Sequence, residues 1–156
     1  MSRRDQIQMT EAERREFVRA ARTVILCSIA KDGSPHPMPM WFGVEDDGTI
    51  AMTTFAKSQK VRNLERDPRV SLLIEDGEDY AKLRGVVFYG KAQLSQDTKA
   101  VLDVLERVAT RSGAAPAADP KALRAALEKT AAKRVAIRVR PDRIVTWDHA
   151  KLGGVY

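Results

Sequence analysis

The chain of 156 residues has a single cysteine, Cys27, and only two histidines, His36 and His149. One cysteine forms no disulfide within a chain, so a stapled fold is excluded, and the usage fits a reducing, cytoplasmic compartment. Cys27 lies in the apolar run TVILCSIA, where a small buried hydrophobe is the expected role. These three residues are far apart in sequence and show no metal-ligand spacing, so no metal is expected. No apolar run nears the ~20 residues that span a bilayer. The start, MSRRDQIQMT, lacks the apolar segment of a signal peptide, so no membrane partner is expected. Aromatics are scarce, at 6%. With neither zinc-finger spacing nor an aromatic-rich RNA-binding signature, nucleic acid is not an expected partner. Catalytic triads and paired carboxylates are also missing, which suits a protein whose chemistry is carried by a cofactor.

What is present is an ordinary globular composition, 44% hydrophobic and 31% charged. The length argues for one domain, residues 1–156, with a core large enough to need no staples. The formal charge of +6 is scattered along the chain rather than gathered in an arm, and suits an anionic small molecule.

Residues 1–9 are expected to be flexible. Thr10-Glu11-Ala12-Glu13 reads as a capping box, opening a helix to about Arg22 with Phe17, Val18 and Ala21 inward. TVILCSIA is a strand and KDGSP a turn. PHPMPMWFGV carries three prolines at alternate positions, which puts it at a sheet edge or leaves it locally unpaired. IAMTTF and RVSLLIE are strands on either side of a short helix from Ser58 to Arg66, which Asp67-Pro68 ends. KLRGVVFYGKAQL is a long strand whose two glycines predict bending or close approach of another group. Residues 95–133 form a helical insertion: one helix capped by Ser95, the linker GAAPAA, and a second helix opened by Asp119-Pro120. Residues 134–156 return to β structure, with a turn at Pro141-Asp142, and end in a C-terminal segment. Six or seven strands joined by tight turns, with four helices, predict a mainly β, α+β antiparallel barrel.

The short helix is unusual. Five of the thirteen residues from Lys57 to Arg69 are Lys or Arg, against two acids. Ser58 is the expected N-cap, and the first-turn N–H groups lack intrahelical partners. Lys57 and Lys60 oppose the helix dipole by about 0.3–1 kcal/mol each unless an anion sits there. Thr53 and Thr54, at the preceding strand end, offer hydroxyls to the same anion.

This order of strand, Thr-Thr, Lys-Ser-x-Lys, helix, Asp-Pro-Arg and strand resembles the pyridoxamine 5'-phosphate oxidase-like, flavin-binding split β-barrel superfamily. The stretches DGSPHPMPMWFGV, AKSQKVRNLERDPRVSLLIEDG, LRGVVFYGKAQL and WDHAKLGG carry the likeness, which spans roughly Ala12 to Gly153. The closest resemblance is to the actinobacterial branch that uses the deazaflavin coenzyme F420. It implies a six- to seven-stranded split barrel, a homodimer with sites at the interface, and an oxidoreductase passing hydride from reduced F420 to an unsaturated or electrophilic small molecule. An FMN-dependent oxidoreductase and a flavin- or haem-binding carrier or sensor are the alternatives. By residue, the resemblance places cofactor phosphate at Thr54, Lys57, Ser58 and Lys60, with Thr53 and Asn63 in support. Pro39-Met40-Trp41 would run beside the ring system, and Trp147 and His149 resemble the C-terminal segment arriving from the partner subunit.

The chain departs from true pyridoxamine-phosphate oxidases at several points. PHPMPMWFGV has no Lys or Arg, Gln59 stands where they have Arg, Gly85 stands where they have Gln, and their basic C-terminal motif is missing. The departures point away from vitamin B6 oxidation and toward a deazaflavin with an anionic tail. Tyr89 is the candidate proton donor. Arg84 and His149 are candidate substrate contacts, with Asp79 an alternative partner for Arg84.

Overall fold

The computed structural model describes residues 2–112 and 119–153; the expected linker at 113–118 lies outside them. Among the described residues there are five α-helices: α1 (Arg3–Gln6), α2 (Glu11–Ala20), α3 (Gln59–Arg66), α4 (Thr98–Ser112) and α5 (Pro120–Ala131). The strands are β1 (Thr23–Ile29), β2 (Pro35–Trp41), β3 (Gly43–Val44), β4 (Ile50–Phe55), β5 (Arg69–Asp76), β6 (Arg84–Ser95) and β7 (Arg134–Asp148). They form one antiparallel sheet in the order β2-β1-β5-β6-β7-β4-β3. Only Phe42 separates β2 from β3, yet these strands are the two edges of the sheet. One residue spans a few ångströms, so the sheet must curl until its edges meet. The result is a split β-barrel.

Alternation along the strands sorts the side chains. Val24, Leu26, Met52, Leu72, Val86 and Ile137 face the barrel interior, and α2 closes it with Phe17 and Val18. Phe42 is buried there too, where the chain crosses between the edges. A second apolar cluster lies outside the barrel. There Ala51 of β4 and Ala136 of β7 offer flat ground on which Val101, Leu102 and Val104 of α4 and Ala131 of α5 pack.

Several expectations are corrected. Within residues 3–9, α1 is a helical turn, the Asp148 N–H donates to Ile7 O at 2.7 Å, and the Met9 N–H donates to Thr146 Oγ1 at 2.9 Å. The turn expected at Pro141-Asp142 is a bulge inside a continuous β7, because Gly90 pairs Pro141 while Tyr89 pairs Arg143. Asp97, not Ser95, opens α4, its carboxylate accepting from the Ala100 N–H at 2.9 Å. Among the described residues, no helix is long and apolar enough to cross a membrane.

Candidate functional site

β3 pairs with β4 only at Ala51 and Ile50, so Thr53, Thr54 and Phe55 have no strand beside them on that edge. Across the gap stand Pro39, Met40 and Trp41 at the end of β2. Together with α4 and α5 they enclose an open pocket of about 590 Å³. Its walls hold two large, mostly exposed aromatics, Trp41 at 61% and Phe55 at 55%. Exposed aromatics flanking a concave site are what a flat apolar ring needs. Leu105, Val108, Leu123 and Leu127 from the two helices make the wall apolar.

Lys60 stands where α3 begins, in contact with a pocket residue. It is only 9% exposed, and its Nζ donates to Thr54 Oγ1 at 3.1 Å. Burial alone pushes its pKa below the ordinary lysine value. No carboxylate pairs with it among the described residues. The Thr54 hydroxyl in turn reaches Ser58 Oγ at 3.4 Å. One ammonium and two hydroxyls therefore meet at the start of a helix, where the dipole also favours an anion. Ser58 takes the N-cap backbone position without the expected side-chain cap bond, which leaves its hydroxyl in this cluster.

The other predicted residues are distributed differently. Pro39, Met40, Trp41, Thr53 and Thr54 share the pocket. Lys57 is exposed, so the two lysines are not equivalent. Asn63 is fully buried; its Oδ1 accepts from Gln59 Nε2 at 2.9 Å and its Nδ2 donates to Ser28 Oγ at 3.1 Å. Asn63 thus ties α3 to β1 from inside the core. Tyr89 lies under Arg143, 3.8 Å from its guanidinium carbon, and lines a different groove with Cys27 and Ser71. Arg84 donates to Asp76 at 2.8 Å, not to Asp79, and covers Phe17. Trp147 lies across Gly85, where a Cβ would come within 2.3 Å of the indole. The His149 ring packs on Tyr80, with Nδ1 3.0 Å from the Tyr80 carbonyl oxygen. These last residues cluster at the far end of β7, away from the pocket of the same chain. Sequence reading missed Arg134, whose Nη1 donates to Thr53 Oγ1 at 3.3 Å from the pocket wall.

Known proteins share this fold. The crystal structure of the conserved hypothetical protein Rv2991 from Mycobacterium tuberculosis is 41% identical, covers 100% of this chain and 95% of its own, and superposes with a TM-score of 0.87. An F420 reductase shares the fold at 22% identity, with 83% of this chain and 93% of the other covered and a TM-score of 0.58. The heme storage protein HutZ from Vibrio cholerae does so at 18% identity, with 87% and 94% covered and a TM-score of 0.66. No curated protein matches the sequence. The model of the pyridoxamine 5'-phosphate oxidase family matches residues 10–148, nearly the whole barrel and its helical insertion, and the chain therefore belongs to that family of split β-barrel proteins.

Proposed function

We propose that the protein is an F420-dependent reductase acting on an unsaturated or electrophilic small molecule. The observation that carries this reading is Lys60: a nearly buried ammonium with hydroxyl neighbours and no carboxylate, at the edge of a pocket lined by Trp41 and Phe55. Leaving a buried charge unpaired is unfavourable, and an anionic group of a ligand compensates it. The residues fit a deazaflavin, with Lys60, Thr54 and Ser58 holding phosphate and Pro39-Met40-Trp41 beside the ring. When bound, that cofactor supplies the hydride. The chain's own task is to bind and orient both reactants and to keep water from the apolar wall of α4 and α5.

The reading includes a homodimer. On the outer face of the sheet, register aligns Pro39, Ile25, Leu73, Val87 and Val145 in one apolar row. A second copy is the occupant proposed for this face, since a two-fold dimer buries the same patch on both subunits. Trp147 and His149 reach a pocket only from such a partner, being at the wrong end of their own chain. A reducing cytoplasm is the compartment proposed for it.

The test is a side-by-side titration of cofactor-free protein with F420 and FMN, with mass measured by light scattering. F420 should bind more tightly, to a species twice the 17.4 kDa chain. Tighter FMN binding moves the assignment to a flavin oxidoreductase. Binding of F420 without turnover of its reduced form, across a panel of enones and quinones, makes the protein a carrier.

A further inference from the structure

The pocket wall itself carries a cation, Arg134, that phosphate binding at Lys60 leaves unused. Arg134 begins β7, directly opposite Phe55 in the β4–β7 ladder. Its guanidinium carbon lies 4.6 Å from the centre of the Phe55 ring, and its only hydrogen bond among the described residues is the 3.3 Å contact to Thr53 Oγ1. Its Nε is buried without an acceptor. Neighbouring arginines are satisfied. Arg138, on the same face of β7, donates to Glu45 at 2.7 Å, and Arg124 of α5 donates to Glu106 at 2.9 Å. Arg134 thus combines a planar donor fork, an aromatic support and no acid, which is the arrangement that receives a carboxylate.

Its position separates it from the phosphate cluster. Adjacent residues of a strand point to opposite faces. Thr54 turns inward to Lys60, whereas Thr53 turns outward to Arg134. Two anions therefore have two places, one on each side of the β4 edge. On the Arg134 side the wall is Leu105, Val108, Leu123 and Leu127.

We propose that Arg134 anchors the carboxylate of a substrate whose apolar body lies against α4 and α5, so that the pocket selects unsaturated apolar acids. That the bound acid is reduced rests on the reductase reading above; that it binds does not.

The probe is trans-3-(2-naphthyl)acrylate, compared with its uncharged amide by calorimetry on the full chain. The acid should bind at least about tenfold more tightly than the amide, because only the carboxylate completes a charge-assisted fork. Arg134→Gln should bring the two to equal affinity, and Arg134→Lys should keep part of the preference. F420 titrated into the same variants should lose less than about threefold in affinity. Equal binding of acid and amide to the unaltered protein, or no binding of either, overturns the proposal without any variant needing to fold. If Arg134→Gln instead weakens F420 and leaves the acid untouched, the guanidinium serves the cofactor's tail and the substrate assignment falls. If the acid is preferred but F420 never binds, the anchor stands and the reductase reading fails.

Discussion

Arg84 and Arg134 sit near opposite ends of β7, one across from Asp148 and the other starting the strand, and their surroundings differ in kind. Near Arg84 three cations have found acids. Arg84 pairs with Asp76 at 2.8 Å, Lys82 with Asp79 at 2.8 Å and Lys151 with Glu13 at 2.6 Å. At the start of β7 two cations lack acids among the described residues: Arg134 meets a hydroxyl and a ring, and Lys60 meets a hydroxyl. Exposed pairs such as the first set contribute little, because solvent screens them; only the Lys151–Glu13 pair links the two terminal segments. Unpaired, partly desolvated cations cost stability. A fold that keeps them has another use for the charge, and the use proposed above for both positions is an anion from outside the chain.

The largest effect that separates the two ends concerns Lys60. Lys60→Ala should weaken F420 binding by about 10- to 100-fold, the loss of one charge-assisted contact, while Lys57→Ala at the exposed position should change it by less than about threefold. Fluorescence titration of both variants decides it, and equal losses would mean the two lysines act alike after all. The same buried charge predicts the opposite sign for stability. Lys60→Met replaces an unpaired ammonium with an apolar chain of similar length and should raise the melting temperature by roughly 2–4 °C, about 1 kcal/mol. pH adds a check on sign. Because burial lowers the Lys60 pKa, the ammonium is lost at a lower pH than in an ordinary lysine. Affinity for an anionic cofactor should therefore fall on the alkaline side before ordinary lysines titrate, and Lys60→Arg should keep it flat.

At the paired end the sharper test is steric. Gly85→Ala puts a Cβ 2.3 Å from the Trp147 indole, so the ring must leave its place. Displacing a packed aromatic costs about 1–3 kcal/mol, read as a melting temperature lower by roughly 3–10 °C. An unchanged midpoint would mean Trp147 does not hold that position in solution.

Much of this was legible from local rules. The Thr10–Glu13 capping box forms as read, with the Thr10 N–H donating to Glu13 at 2.6 Å and the Glu13 N–H donating to Thr10 at 3.3 Å. The alternating prolines of β2 do sit at a sheet edge, since a missing donor is tolerated best there. The two glycines of β6 predict bending or close approach, and both occur: a bulge at Gly90 and the Trp147 ring over Gly85. What escaped reading depends on register between distant segments. Arg134 looks like any arginine in AAKRVAIRVR, and only the β4–β7 ladder sets it opposite Phe55 and near Thr53. Asn63 reads as a ligand one turn beyond Lys60 and does share its helix face, yet it is fully buried with its amide bonded to Gln59 and Ser28. Tyr89 is a candidate by its chemistry alone, and strand alternation puts it in another groove.

The smallest expected effect tests the pairs that hold the N- and C-terminal segments together. Glu13 accepts from Lys151 and from the Thr10 N–H, and these bonds hold its carboxyl down to about 2 from the ordinary 4.5. Its folded pKa is depressed, so the native state binds fewer protons than the unfolded chain between those values. The contribution is complete above the unfolded pKa and is lost as pH falls through the folded one. The Glu13–Lys151 pair should therefore leave stability flat above about pH 5 and steepen its fall below about pH 4.5. Glu13→Gln removes the titrating group and should flatten that segment of the melting temperature against pH, while leaving anion binding at Lys60 and Arg134 untouched. A Gln variant that melts with the same acid slope would show the slope to come from other carboxylates. The far end of β7 would then be held by its backbone bonds, such as Asp148 N–H to Ile7 O, and not by its charges.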